Sequence, residues 1–252
     1  MPRIALQVEY KGTKYHGWEK QKSQIPTVQA NLELALTKIA NEPINTIVAG
    51  RTDAGVHSSG QVVHFDTNAD RELSAWVRGT NSHLPHDISV VNSKIVDADF
   101  SARFSAVSRT YCYSIVNRPE RISIEADIKY WVNKRIDVAL MQEAANYLIG
   151  EHDFSAFRAA SCQANTAFRN IHEIQISQNG DDISTVIVGN AFLHHMVRNI
   201  MGTLIEVGIG KKQAIWVAEV LASKNRANAG NTAPARGLSL IKVSYPENVL
   251  NF

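Results

Sequence analysis

The order of the hydrophobic repeats constrains the fold of this 252-residue chain more than any other feature of its sequence. Residues 3–10 alternate apolar and polar side chains, which predicts a strand, and Thr27 precedes apolar residues at helical spacing, which predicts a capped helix. The stretches INTIVAG and GQVVHFDT predict two short strands. A short helix around residues 71–80 and a strand at DISVVNSKIV follow. The predicted order of the first half is therefore βαββαβ.

The second half of the chain predicts the same order again. RTYCYSIV predicts a strand, Asp137 is placed to cap a helix that runs to Gly150, and NIHEIQIS and ISTVIVG predict a hairpin at Asn179-Gly180. AFLHHMVRNIMGTLIEVG predicts a long helix and GLSLIKVSY a closing strand, with residues 225–237 as an inserted Gly/Asn-rich loop between them. The halves share no obvious sequence identity, so the repeat is one of topology.

A doubled βαββαβ order predicts both the fold class and the domains. The class is α+β, with two ferredoxin-like (RRM-like) halves, one at residues 1–106 and one at residues 107–252. Because open sheets leave unpaired edges, we expect the halves to pack side by side around a central, mainly antiparallel sheet, with a cleft between them. Functional residues are expected on the loop that joins the central strands of the first half.

Composition and cysteine usage indicate a globular chain of a reducing compartment. No apolar run approaches the 18 residues of a membrane span, and no apolar segment follows Arg3, so the sequence predicts neither a membrane helix nor a signal peptide. Cys112 and Cys162 are the only cysteines, and neither belongs to a CxxC motif. We therefore expect two free thiols in the cytoplasm.

The histidines do not predict a metal site. His83-x-x-His86 has no acidic or thiol companion at ligand spacing. His194 and His195 are adjacent, and within a helix adjacent side chains point to different faces. We therefore expect no metal.

Basic residues cluster in two places, although the net charge is only +2. The first cluster is Arg3, Lys11, Lys14, Lys20 and Lys22, and the second is Arg103, Arg109 and Arg118. The aromatic residues interleaved with them are Tyr10, Tyr15, Trp18, Phe104, Tyr111 and Tyr113. Such charges are commonly solvated surface, but cations bind phosphates and aromatic rings stack on bases. The clusters therefore favour an RNA partner, with Lys11, Lys14, Arg103 and Arg109 as candidate phosphate ligands.

The stretch GRTDAGVH, residues 50–57, is the candidate functional loop. Asp-x-Gly is also ordinary turn chemistry, because Asp53 can bond to its own backbone and Gly55 can adopt positive φ. Taken alone, the stretch leaves a structural turn and a functional Asp53 both open.

Six blocks of the sequence resemble, in order, the motifs of the bacterial tRNA pseudouridine synthase A family. They are EYKGTKYHGW with TVQANLE, AGRTDAGVHSSGQVVHF, RFSAVSRTYCY, GEHDFSAFR and NAFLHHMVRNIMG. The resemblance covers the chain from Ile4 to about Tyr245. It implies the pseudouridine synthase fold and isomerisation of uridine to pseudouridine in the anticodon stem-loop of tRNA, at positions 38–40, without a cofactor. It also implies a cytoplasmic homodimer whose two subunits both contact tRNA.

The resemblance also implies roles for five residues. Asp53 corresponds to the catalytic carboxylate, which attacks C1′, adds to C6 of the base or abstracts a ribose proton. Arg198 corresponds to the arginine paired with that carboxylate, and Tyr111 to the tyrosine that stacks on the uracil. Arg51 corresponds to the arginine that fills the space left by the extruded base, and Leu238 to an apolar residue lining the uracil pocket. Without the resemblance, Arg198 is also compatible with a surface arginine and Tyr111 with a core aromatic residue.

Two other functions are compatible with the sequence. One is a non-catalytic RNA-binding or tRNA-chaperone module built on the same sheets, and the other is a pseudouridine synthase acting on another RNA, such as ribosomal RNA. Retention of Asp53, Tyr111 and Arg198 favours an enzyme over the first. The surrounding blocks resemble the tRNA type rather than the second.

Overall fold

The computed structural model describes residues 1–21 and 25–252, which form two units. The first unit contains Met1–Ser108 together with Ser239–Phe252, and the second contains Arg109–Leu238. The last strand of the chain from Ser239 onwards thus belongs with the first unit, whereas the sequence placed it in the second half. The division of the chain into domains at 106/107 stays a prediction.

Strands dominate both units, with helices between them. In chain order the strands are β1 Arg3–Tyr10, β2 Ile47–Val48, β3 His57–Asp66, β4 Ile88–Val96, β5 Ser108–Asn117, β6 Tyr130–Val132, β7 Gly150–Asp153, β8 Phe168–Asn179, β9 Asp182–Gly189 and β10 Leu238–Ser244. The α-helices are α1 Val28–Ala40, α2 Val138–Asn146, α3 Met196–Gly208 and α4 Trp216–Ser223. Single 3-10 turns lie at Gly12–Lys14, Ser155–Phe157, Arg226–Asn228 and Ala235–Gly237, and one π-helical turn at Ala75–Gly79.

The sheet of the first unit has the strand order β4-β1-β3-β10. β1 pairs antiparallel with β3 and β4, while β2 and β10 both pair with β3. Leu32 and Leu36 of α1 are fully buried in one core with Leu6 of β1 and Phe65 of β3. Thr27 caps α1 as predicted, because its side-chain oxygen accepts from the backbone N–H of Ala30 at 3.4 Å.

The second unit has the strand order β5-β9-β8-β7, in which neighbours are antiparallel, and β6 lies parallel to β5. The predicted hairpin is confirmed: Asn179 faces Asp182, and Gly180 adopts φ +59°. Asp137 caps α2 by accepting from the N–H of Leu140 at 3.1 Å. The α+β class and the mainly antiparallel pairing are therefore confirmed, whereas the side-by-side packing and the cleft stay predictions.

Several details of the predicted order are wrong. The short helix expected around residues 71–80 is present at residues 73–81, with a π-helical turn at Ala75–Gly79 in its middle, but β6, β7 and α4 were not predicted. The long helix begins at Met196 and not at Ala191, because His195 adopts φ +61°, outside the helical region. The candidate loop joins β3 to β2, a two-residue strand that pairs with β3, and not two central strands.

Cys112 and Cys162 are free thiols. Within residues 1–21 and 25–252, no helix has both the length and the apolar character that crossing a bilayer requires.

Candidate active site

Asp53 lies half-buried on the loop between β2 and β3. The backbone N–H of Val56 donates to the carbonyl of Asp53 at 3.1 Å, and Gly55 adopts φ +77°. The loop is therefore a turn of the type its sequence predicts, and it presents the Asp53 side chain without burying it completely.

The connection between β1 and α1 supports this turn through its backbone. The N–H of Trp18 donates to the carbonyl of Thr52 at 3.0 Å, and the N–H of Gly55 donates to the carbonyl of Tyr15 at 3.2 Å. A Cβ on Gly12 would lie 1.9 Å from the carbonyl oxygen of Val56. The two sequence blocks EYKGTKYHGW and GRTDAGVH thus form one structure whose close approach requires glycine.

Buried polar side chains support the same turn from the sheet. Gln61 of β3 is fully buried, and its amide donates to the carbonyl of Gly50 at 2.8 Å and to the hydroxyl of Tyr10 at 3.3 Å. The Tyr10 hydroxyl also forms a 2.8 Å hydrogen bond with the hydroxyl of Thr52. Burial raises the pKa of Tyr10 to about 12, with hydrogen bonds from Thr52, Gln61 and Ser58 opposing it in part. These neighbours fix residues on both sides of Arg51.

Arg51 is half-exposed and forms an ion pair with Glu19, at 2.6 Å between Nη2 and Oε1. Lys11 and Lys14 lie on the connection that supports the loop, and Lys14 is 3.6 Å from Asp87 with most of its side chain exposed. The first unit therefore brings Arg51, Asp53, Lys11 and Lys14 into one region of the chain's surface. Lys22, of the first basic cluster, lies outside the described residues.

The other two candidate phosphate ligands lie further along the chain. The guanidinium of Arg103 lies over the ring of Phe104, 5.2 Å from its centroid, in the first unit. Arg109 begins the second unit, where its Nη1 donates to the carbonyl of Asn190 at 2.8 Å. Both retain cationic heads at or near the surface.

Tyr111 and Tyr113 lie on the same face of β5, and both are buried. Tyr111 is 8% exposed and its ring meets Phe192 edge to face, with centroids 5.1 Å apart. Tyr113 is fully buried, and its hydroxyl donates to the carbonyl of Pro234 at 2.8 Å. Burial raises the pKa of Tyr113 strongly, although Arg198 and Arg236 oppose the effect. Tyr113 is therefore the more deeply buried of the two tyrosines.

Arg198 is half-buried in the first turn of α3. Its Nε donates to the carbonyl of Ala233 at 2.8 Å, and the N–H of Ala233 donates to the carbonyl of Arg198 at 3.0 Å. Its charge acts to lower the pKa of Tyr113, against the effect of burial. Leu238, the first residue of β10, is 5% exposed.

A second buried amide lies one residue from Arg198. Asn199 is 1% exposed, donates to the carbonyl of Phe157 at 2.8 Å, and accepts from Arg226 at 3.1 Å and from Thr232 at 2.6 Å. Neither Asn199 nor Gln61 was predicted from the sequence, because each occupies an ordinary polar position of a helix or strand pattern. Glu19 and Tyr10 were not singled out as contacts of the candidate loop for the same reason.

The expected arrangement of the adjacent histidines is wrong. His194 and His195 precede α3, and their ring centroids are 4.1 Å apart, so the rings lie side by side. Nδ1 of His194 forms a 3.0 Å hydrogen bond with the hydroxyl of Ser161. The expectation assumed that both residues were helical, which the positive φ of His195 excludes.

Comparison with known proteins gives consistent matches over nearly the whole chain. A family model described as "tRNA pseudouridine synthase" matches residues 6–105 and 144–246. A protein named tRNA pseudouridine synthase A from Pseudomonas aeruginosa is 50% identical over 244 residues, which is 97% of this chain and 86% of that protein. Proteins of the same name from Shewanella loihica and Francisella tularensis are 51% and 48% identical, and each alignment covers 98% of this chain and 94% or 95% of the relative.

Proposed function

Because the chain belongs to the tRNA pseudouridine synthase family, we propose that it isomerises uridine to pseudouridine in the anticodon stem-loop of tRNA, at positions 38–40. The observation that carries this proposal is the identity of about half the residues over 97–98% of the chain to proteins named for that activity. The ordered turn that presents Asp53 supports it from the structural side.

The reaction itself limits what the protein must supply. The bond between C1′ and N1 breaks, the uracil rotates, C1′ joins C5, the proton on C5 leaves and N1 takes up a proton, so that the product is an isomer of uridine. No electron is gained or lost and no water is consumed, so the atom balance requires no cofactor. A single carboxylate meets this demand because the leaving base is also the returning nucleophile, whereas a glycosidase needs a second carboxyl group to handle water.

We propose that Asp53 is this carboxylate. Attack on C1′, addition to C6 and abstraction of a ribose proton all require its ionised form. We propose Arg198 as the cation that favours that form, and Tyr111 as the ring that stacks on the uracil. The half-buried position of Arg198 and its fixed Nε support a positioned cation rather than a mobile surface side chain. Leu238 is proposed to line the uracil pocket, and its burial is compatible with that role.

Arg51 is proposed to occupy the space that the uridine leaves when it is extruded. Extracting a base from a stack costs a few kcal/mol. A planar guanidinium can stack in the gap that the base leaves and can bind a phosphate at the same time. The ion pair with Glu19 supports this role, because it orients a side chain that remains more than half exposed. We propose that Lys11, Lys14, Arg103 and Arg109 bind tRNA phosphates, and that the enzyme acts in the cytoplasm as a homodimer with both subunits on the tRNA.

The proposal is tested by incubating the purified protein with tRNA transcripts and mapping pseudouridine along each transcript. We expect product confined to the anticodon stem-loop, and none in a ribosomal RNA fragment of equal length. Binding of tRNA without product would favour the non-catalytic module, and product in the ribosomal fragment alone would favour a synthase for another RNA. Either result contradicts the proposed function.

A further inference from the structure

Phe104 is more exposed than any other aromatic side chain in the part of the chain that the structure describes, with 81% of its surface accessible. Phe65, Phe100, Phe154 and Phe157 are all buried. Single exposed apolar side chains are common on protein surfaces, so the case for a binding surface at Phe104 depends on the groups around its ring.

The segment that carries Phe104 is anchored on both sides. Ser101 and Ser105 exchange hydrogen bonds, at 3.0 Å from the N–H of Ser101 to Oγ of Ser105 and at 2.9 Å from the N–H of Ser105 to the carbonyl of Ser101. The N–H of Ala102 donates to Nδ1 of the buried His64 at 3.0 Å, and the hydroxyl of Tyr245 donates to the carbonyl of Ala102 at 2.7 Å. The Phe104 ring is therefore presented by a closed turn attached to the sheet of the first unit.

Arg103 adds a cation to this ring. Its guanidinium lies 5.2 Å from the ring centroid of Phe104, within the range of a cation–π contact, and the ring stays largely exposed beside it. Among residues 98–108, Val107 is the one other exposed large apolar side chain. A ring with a stacked guanidinium and serine neighbours suits a flat, anionic ligand better than an apolar protein surface.

We propose that Phe104 and Arg103 form a stacking platform for an unpaired nucleobase of the RNA substrate, separate from the uridine that reacts. A base stacks on the Phe104 ring irrespective of its sequence, and Arg103 binds the phosphate beside it. The inference rests on the proposed function for the class of ligand, RNA, but not for the chemistry at Asp53.

The platform is tested by the binding of the full-length protein to two RNA probes. One is a synthetic anticodon stem-loop with 2-aminopurine in its loop, and the other is a fully paired duplex with the same number of phosphates. Phe104→Ala should weaken stem-loop binding about tenfold and leave duplex binding within twofold, because alanine cannot stack on a base. Phe104→Trp should bind the stem-loop as the wild type does, and the 2-aminopurine fluorescence should be quenched by wild type and by Phe104→Trp but not by Phe104→Ala.

Phe168→Ala is the matched control, since Phe168 is a second exposed phenylalanine, in the other unit. It should bind both probes as the wild type does. Equal binding of the stem-loop by wild type and Phe104→Ala would overturn the platform, as would a change of oligomeric state in Phe104→Ala, which would make Phe104 an interface residue. The two proposals can also fail separately. If the wild-type protein forms no pseudouridine but Phe104→Ala still weakens stem-loop binding, the proposed function is contradicted and the platform is supported.

Discussion

The turn that carries Asp53 and the helix start that carries Arg198 are each organised around one buried amide, but the two amides hold different partners. Gln61 joins neutral groups that are close to the turn, the Gly50 carbonyl and the Tyr10 hydroxyl. Asn199 joins three separate segments of the second unit, and one partner is the charged Arg226. Arg226 is half-buried, and this burial lowers its pKa.

The different partners of the two amides indicate different structural roles. A neutral network over a short distance fixes one local conformation, as a loop bearing a reactive carboxylate requires. A network with a partly desolvated cation holds distant segments together, and it becomes costly when a partner is lost. The predictions that follow separate local positioning near Asp53 from assembly of the fold near Arg198.

Replacing the glycine at the closest backbone approach in each region should give the largest loss of stability. A Cβ at Gly202 would lie 1.6 Å from the Asn231 carbonyl oxygen, and one at Gly12 would lie 1.9 Å from that of Val56. We expect Gly202→Ala and Gly12→Ala each to lower the free energy of unfolding by about 3 kcal/mol or more, measured in urea. Gly50→Ala is the control, because a Cβ there meets no atom within 4 Å. Equal stability of all three variants would contradict the observed approaches.

Acid should weaken the first unit. Burial, with help from Arg3, lowers the pKa of His64 from 6.5 to about 4, although Asp66 opposes the shift. The folded state therefore favours the neutral ring, and the stability it contributes is complete above pH 6.5 and is lost as the pH falls towards 4. We expect a loss of about 3 kcal/mol over this range, measured by hydrogen exchange in the first unit. The His64→Gln variant should lose much less stability over the same range; an equal loss would assign the effect to other groups.

The two buried amides should differ in what their loss affects. Asn199→Leu leaves the Arg226 guanidinium without this hydrogen-bond acceptor and should lower the free energy of unfolding by about 3 kcal/mol. Gln61→Leu leaves only neutral groups without a partner and should lower it by about 2 kcal/mol. Gln61→Leu should in addition lower kcat about tenfold with little change in KM, because Asp53 is then less well positioned. A kcat unchanged in folded Gln61→Leu would show that the Asp53 turn does not depend on this network.

The smallest expected effects are those of two buried tyrosine hydroxyls. Tyr10→Phe and Tyr113→Phe should each lower the free energy of unfolding by about 1 kcal/mol, since each removes hydrogen bonds within the core. Only Tyr10→Phe should also lower kcat, because Tyr10 contacts Thr52 beside Asp53. Single-turnover rates for the two variants check this, and a larger loss for Tyr113→Phe would reverse the comparison.

Local signals in the sequence predicted the elements that local chemistry determines. The caps at Thr27 and Asp137, the hairpin at Asn179-Gly180 and the Asp53 turn each depend on residues only a few positions apart. Strand β10 is different, because Ser239 pairs with His57, far away in the sequence. No periodicity encodes such a pairing.

Burial of β3 explains why Gln61 was missed. Alternation identifies a strand with one face in water, but nearly every residue of β3 is buried. Gln61 therefore looks like a solvent-facing position in the sequence, and only the structure shows it beneath the Asp53 turn. His195 was misjudged for a related reason, since an apolar helical pattern does not reveal a left-handed residue just before its first turn.

The most direct test of the account is single-turnover isomerisation of tRNA by Asp53→Asn, with Asp66→Asn as the control. Asp53→Asn keeps the shape of the side chain and removes its charge, while Asp66 is an exposed partner of Arg3. We expect no pseudouridine from Asp53→Asn above about 1% of the wild-type rate, with tRNA affinity within about tenfold of wild type, and full activity from Asp66→Asn. Turnover by Asp53→Asn above that level, in a preparation free of wild-type enzyme, would show that Asp53 is a structural turn residue and not the catalytic carboxylate.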